Sequence, residues 1–313
     1  MGRYFIKFSY LGTQYRGLQK NVIRNENVIM HDTDTIQGAL ECAFSTLRPK
    51  CTKWPKLTSS SRTDAGVHAL CNSAHIDIEN KYDSMYNPNV VLRLVNQYFT
   101  HSNHKIRLLE FIPVKDTFHT RKCVKSRTYI YRFLKAKNIN DHKIPVAEIN
   151  QSFHFRSEIF DFEKLKQGTK LFVGTKNFTT FSEKSISYQP IRYVRTLHSF
   201  TLEKGYPLMP YDPLSQNFDY WNLVCTGRSF LYKQVRRMAS ALFALSKNIL
   251  TEKDINIMLQ VPNHKNWIPK LATLPACGLY LANVEHCQEE LGKYIVKYKE
   301  SPEDLTVIPL DSN

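Results

Sequence analysis

Residues 59–69, Ser-Ser-Ser-Arg-Thr-Asp-Ala-Gly-Val-His-Ala, bring an arginine, a carboxylate and an imidazole (Arg62, Asp64 and His68) around one glycine, Gly66. The run has no apolar periodicity and follows a stretch rich in Pro and Lys. It reads as a loop in which Gly66 permits a tight backbone turn while Arg62 and Asp64 project to opposite sides. A carboxylate held this way can attack as a nucleophile. The same residue types also suit a polar turn in which Asp64 only caps local amides, and composition alone does not choose between the two.

Other groupings offer less. The seven Cys (42, 51, 71, 123, 225, 277, 287) are odd in number, scattered and without a CxxC pair. Neither a disulfide framework nor a zinc site is expected, and a reducing compartment is the default. His101 and His104 stand three apart with no Cys or carboxylate cluster beside them, so no metal is assigned there. No cofactor fingerprint is present, and no cofactor is expected.

The elements that must position the loop follow from periodicity. Tyr4–Tyr10 reads as a first strand, interrupted by Gly12-Thr13. A helix should start at Asp34, with Gln37 answering as a capping partner, and carry Ile36, Ala39, Leu40, Ala43, Phe44 and Leu47 on one face until Pro49. Residues 72–79 alternate as a strand, and a second helix runs from Asn87 to about Phe99 with an Asn-Pro start. Strands are expected at 105–113 and 125–134, then an extended polar connection over about 135–160. A helix near 161–172, strands near 192–202 and 217–226, and a long helix over about 230–248 follow. A short helix near 251–260 and a strand around 278–284 close the folded part, with 287–313 a charged tail. This irregular alternation lacks a steady βαβ rhythm and predicts an α+β fold with a mainly antiparallel sheet. The strand–helix pattern occurs roughly twice, which allows two similar halves.

Charge narrows the partner. Forty-three Lys plus Arg against 28 Asp plus Glu gives a net +15. Each phosphate neutralised by a basic side chain releases counterions, so a polyanion is the simplest partner; the plain alternative is a basic protein kept dispersed by its charge. No run of about 18 apolar residues is present, so no membrane span is expected. The first strand begins three residues from Met1, leaving little room for a presequence; the compartment, cytoplasmic or mitochondrial, stays open.

Arg62-Thr63-Asp64-Ala65-Gly66-Val67-His68-Ala69 resembles the signature of the tRNA pseudouridine synthase A (TruA) family, and the resemblance extends in order from residue 3 to about 285. Tyr10-Leu11-Gly12-Thr13 with Gly17-Leu18-Gln19, and Thr35–Glu41, are similar to its N-terminal elements. Phe118-His119-Thr120-Arg121 and Ser126–Tyr131 resemble its central Arg-x-Tyr-x-Tyr strand. Gly174, Asn177–Phe181 and Arg195-Thr196 match a further element. Phe230-Leu231 with Gln234-Val235-Arg236 is similar to its Phe-Leu-x-x-Met-Val-Arg helix, and Pro275–Leu279 closes the set. The Ser-Ser-Arg-Thr and Gln-Val-Arg-Arg-Met variants look closest to the animal tRNA pseudouridine synthase-like branch.

The resemblance implies the pseudouridine synthase fold: two similar α+β halves (1–117 and 118–286) with a central antiparallel sheet and the active site between them. It implies isomerisation of uridine to pseudouridine in tRNA, in the anticodon arm, with Asp64 as the catalytic carboxylate. Arg236 is implied as its counter-ion, Tyr129 as the platform for a flipped base, and Arg62 as an RNA contact. Arg121, Lys122, Lys125, Arg127, Lys233 and Arg237 are candidates for phosphate contacts, Leu279 for the pocket wall. His68 either contacts RNA or is a hydrogen-bonded loop histidine; Tyr131 and Phe133 read as core. Bacterial members are homodimers, which leaves a homodimer open here. Departures from the family pattern are Leu11 for Asp, Leu18 for Trp, Asn72 for Gln, Gln234 for Met and Ser240 at a position often Gly; the first three are expected to alter how RNA is held. Two alternatives stand beside this reading: an inactive RNA-binding module on the same fold, and an unrelated carboxylate hydrolase. Retention of Asp64, Tyr129 and Arg236 together argues against the first, and the charge argues against the second.

Overall fold

A computed structural model describes residues 2–20, 32–184 and 190–298. In chain order the strands are β1 (Gly2–Tyr10), β2 (Lys56–Ser59), β3 (His68–Ile78), β4 (Ile106–Val114), β5 (Val124–Ala136), β6 (Phe153–Phe155), β7 (Gly174–Asn177), β8 (Val194–Lys204), β9 (Phe218–Gly227) and β10 (Leu279–His286). The helices are α1 (Ile36–Ser45), α2 (Pro88–His101), α3 (Phe162–Thr169), α4 (Gln234–Ser246), α5 (Glu252–Gln260) and α6 (Gln288–Gly292).

The strands form one sheet in the order β4-β1-β3-β10-β5-β9-β8-β7, with β2 paired to β3 and β6 to β5. Among the described residues only β10–β3 and β5–β6 are parallel, as the α+β reading with a mainly antiparallel sheet required. β10, last in the chain, lies at the centre and joins the β1–β3–β4 group to the β5–β9–β8–β7 group. The change of partner along β3 creates the site. One edge of β3 pairs with β1, and the other pairs with β2 over residues 74–77 and with β10 at His68 and Ala69. The last bond of the β2 side is Ser60 N–H to Ser73 O, 2.9 Å. Residues 61–67 therefore leave the sheet at the seam where β10 takes over.

α1 to α5 contribute to one large apolar cluster that includes Tyr4, Ile6, Phe8 and Tyr10 of β1 and Tyr129, Tyr131 and Phe133 of β5. Phe5 points the other way, into a small cluster with Val114, Phe118, Cys123 and Leu291. This alternation is the period-two signature of a strand buried on both faces.

Several boundaries differ from the sequence reading. α1 is capped by Thr35, whose Oγ1 accepts from Gly38 N–H at 3.2 Å, one residue later than the expected Asp34. Gln37 instead donates to Glu41 and to Leu57 O. α4 starts at Gln234 rather than near 230, because Lys233 takes a left-handed conformation (φ 59°) that ends helical continuity. Leu231 thus lies in a turn, where its N–H donates to Gln234 Oε1. β2, β6 and β7 escaped the reading because each has only three or four residues, too few to show a period-two pattern, and β6 lies inside the stretch expected to be an extended polar connection. The expected tail is folded as far as Tyr298: Leu291 is buried, and Val296 N–H donates to Pro113 O at 3.0 Å. Burying one leucine supplies about 2 kcal/mol. Residues 299–313 of that tail lie outside the described residues.

Candidate active site

The 61–67 loop is held from below by the N-terminal segment. Gly12 passes so close under it that a Cβ there would stand 1.9 Å from Val67 O, which excludes any side chain. Leu18 N–H donates to Thr63 O at 3.1 Å. The loop turns at Asp64–Val67, closed by Val67 N–H to Asp64 O at 3.2 Å, with Gly66 at φ 77°, as its sequence position predicted.

A buried polar network fixes the residues on both sides of Arg62. Asn72 donates to Ser61 O at 3.1 Å and to the Tyr10 hydroxyl at 3.4 Å. The Tyr10 hydroxyl lies 2.7 Å from Thr63 Oγ1, and Ser61 Oγ lies 3.2 Å from the Tyr129 hydroxyl. Asn72 and Leu18, two of the departures expected to alter how RNA is held, are fully buried and support the loop from within. Leu11 alone of the three is exposed.

Above this network lies a cleft of about 480 Å³, lined by Ser60–Asp64, Val67, Arg121, Arg127, Tyr129, Ser229–Val235 and Leu279. Among the described residues no backbone amide donates to the Asp64 carboxylate, so the capping alternative fails. Its partner is Arg236, with Nη1 3.6 Å from Asp64 Oδ2; the side chains are 13% and 29% exposed respectively. Arg236 is itself oriented by donating from Nε to Leu274 O at 2.6 Å. Ser240 Oγ holds that segment, donating to Ala272 O and accepting from Leu274 N–H. Burial raises the Asp64 carboxyl above its ordinary value; Arg236, then Lys233, pull it down, and Glu183 pushes it up again. The cation therefore offsets desolvation without cancelling it.

Tyr129 forms the cleft floor, its ring edge-on to Phe230 at 5.0 Å and its hydroxyl held above the usual pKa by burial. Tyr131 and Phe133 are fully buried, with the Tyr131 hydroxyl donating to Pro275 O. Leu279 is a buried wall residue.

The basic candidates separate into different groups. Arg62 is exposed at the cleft rim. Arg121 lines the cleft while its Nε donates to Ser59 O. Arg127 also lines it, and donates to Ser60 O and Arg228 O, stapling the loop to the end of β9. Lys233 lines it and pairs with Glu183. Arg237, expected as a phosphate contact, does not line the cleft. Its guanidinium donates to Ser182 O at 2.5 Å and lies 4.9 Å from the Trp267 ring, because it is one residue further around α4 than Arg236. Lys122 and Lys125 are exposed away from the cleft, Lys125 against Glu285.

His68, carried as a candidate RNA contact, is fully buried. Gly12 N–H donates to its Nδ1 at 3.1 Å, so Nε2 carries the proton and donates to Cys277 O at 3.2 Å. Its ring stacks on Tyr280, and burial lowers its pKa, which keeps it neutral. No nitrogen remains for RNA. Sequence reasoning missed Glu183, Phe230 and Ser61 as site residues. Glu183 carries no sequence signal; Phe230 and Ser61 stand inside family-like motifs but are uncharged beside charged neighbours.

Comparison with known proteins gives one direction. A family model described as tRNA pseudouridine synthase matches residues 169–286. A Xenopus laevis protein named tRNA pseudouridine synthase-like 1 is 32% identical over 293 residues, covering 93% of this chain and 94% of its own. A Homo sapiens protein of the same name is 31% identical over 286 residues, covering 90% of this chain and 89% of its own. Mycoplasma genitalium tRNA pseudouridine synthase A is 31% identical over 285 residues, covering 91% and 98%. Matched over nearly its whole length, and with a central sheet whose seam presents a carboxylate against an arginine, the chain belongs to the tRNA pseudouridine synthase family.

Proposed function

We propose that this chain converts uridine to pseudouridine in the anticodon arm of tRNA, with Asp64 as the catalytic carboxylate. The observation that carries the reading is the Asp64–Arg236 pair at the edge of a cleft floored by Tyr129. In the reaction the N1–C1′ bond breaks, the uracil turns, C5–C1′ forms, and the C5 proton leaves while N1 gains one. No redox partner or group donor is consumed. The chemistry needs an ionised carboxylate beside the sugar, and Arg236 supports ionisation against the desolvation that opposes it.

A uridine inside a helical arm must leave its stack to reach Asp64, at a cost of roughly a few kcal/mol. Stacking on an aromatic ring returns about 1–3 kcal/mol, the role given to Tyr129. Its hydroxyl, bound to Ser61, fixes ring orientation. Arg62, exposed two residues before Asp64, fills the gap left in the RNA, and Arg121, Arg127 and Lys233 face its phosphates.

Tritium release from C5-labelled uridine in a tRNA transcript tests the reading. Wild type should release tritium and Asp64→Ala should not. Equal release by both removes Asp64 from the chemistry, and release mapping outside the anticodon arm removes the positional assignment.

A further inference from the structure

Four cations line the cleft: Arg62, Arg121, Arg127 and Lys233. Among the described residues, Lys233 is the one with a carboxylate partner, its Nζ 2.5 Å from Glu183 Oε2. Arg121 and Arg127 donate to carbonyl oxygens, which leaves their charge uncompensated. A polyanion-facing cleft in a chain of net charge +15 has no electrostatic need for an acidic group on one of its cations. The Glu183–Lys233 pair is therefore the exception to explain.

Both partners are held in place by the backbone. Glu183 N–H donates to Tyr232 O at 3.2 Å, and Lys233 sits at φ 59° with its ammonium 5.1 Å from the Tyr232 ring. Non-glycine residues in the left-handed region are uncommon and collect at functional sites. The side chains are 25% (Lys233) and 39% (Glu183) exposed, so the pair is wet and its net strength small. A phosphate can replace the carboxylate on such an ammonium. Glu183 also has a second cation within reach, Arg237 Nη2 at 3.6 Å, half-buried behind the cleft. If displaced from Lys233, the carboxylate keeps a partner.

Resting on the tRNA reading above, we propose that Glu183 is a specificity-determining residue of the RNA cleft. Its carboxylate occupies the Lys233 ammonium until a phosphate of correctly seated tRNA displaces it towards Arg237. RNA whose phosphates are not seated firmly enough to displace Glu183 gains nothing from Lys233 and is repelled by the carboxylate. This is discrimination by a built-in penalty against the wrong ligand.

The test is equilibrium binding of wild type, Glu183→Gln, Lys233→Gln and the double variant. Each is measured against an unmodified tRNA transcript and a length-matched RNA lacking the tRNA fold, over a range of salt. Glu183→Gln should tighten the control RNA about five-fold, the scale of one exposed ion pair. Its salt slope should steepen by about one phosphate contact. The transcript should gain less, so selectivity falls, and most of the gain should vanish when Lys233 is Gln. Equal tightening of both RNAs, or additive effects of the two substitutions, overturns the proposal. Weaker transcript binding with a lower Tm overturns it too, by making Glu183 a structural tie. A wild type that does not prefer the transcript at all sinks the tRNA reading itself, and this inference with it.

Discussion

Removing the Arg236 charge should cost turnover in a pH-dependent way. Asp64 and Arg236 stand 3.6 Å apart, which corresponds to about 1 kcal/mol of attraction at the dielectric of water and about 4–5 kcal/mol at an effective dielectric of 20. With Asp64 29% and Arg236 13% exposed, the pair lies between these limits, at about 2–3 kcal/mol. Arg236→Gln should therefore slow single-turnover tritium release about 30- to 150-fold on the acid side of the profile. The sign follows from the groups around Asp64. Its carboxyl is already raised by burial, and Arg236 is the largest influence holding it down. Activity needs the carboxylate, so the rate falls as pH drops through the Asp64 pKa, and without Arg236 that fall begins at higher pH. Raising the pH should then recover part of the lost rate. Arg236→Lys keeps a charge but loses the fork that also grips Leu274 O, so its acid limb should stay near wild type while its rate drops moderately. The assay is single turnover at saturating protein, with tRNA affinity measured in parallel. A uniform loss with no displacement of the acid limb refutes the pairing argument. So does lost affinity with an unchanged single-turnover rate.

Asp64→Asn should abolish tritium release yet raise Tm at neutral pH. A carboxyl with a raised folded pKa stabilises the fold below its unfolded value and loses that stabilisation as pH rises through the folded value. The gain from Asn should shrink as pH falls, and a lower Tm at neutral pH contradicts the argument. Tyr10→Phe leaves Asn72 and Thr63 without the hydroxyl between them, which should cost about 1–3 kcal/mol in urea unfolding and slow turnover without weakening tRNA binding. Unchanged turnover would show that the network does not position the loop. His68→Ala should destabilise by about 1–3 kcal/mol while leaving the salt slope of tRNA binding as it is, since His68 faces Gly12 and Cys277 rather than phosphate. A reduced salt slope would return His68 to the RNA interface.

The order and type of the longer elements were legible in the sequence because apolar periodicity is local. The stripes of α1 and α2 and the alternation of β1, β3 and β5 carry their own face assignment. The Asp64 turn was also legible, since a glycine at φ 77° in a polar run leaves the backbone few other choices. What periodicity cannot carry is which distant segments meet. That β10 enters between β3 and β5, opening the seam from which residues 61–67 emerge, is a long-range pairing decision. So is the divergence of Arg236 and Arg237, neighbours on α4, one turned to Asp64 and the other to Ser182 O. His68 made the same point in reverse. An imidazole in a polar loop reads as available, and only the close passage of Gly12 and Cys277 shows that both of its nitrogens are used. The sequence alone supplied Asp64 and the chemistry open to it. Its partner Arg236 was implied by the family resemblance and not by residue spacing, because the meeting of two groups 172 positions apart is decided by packing.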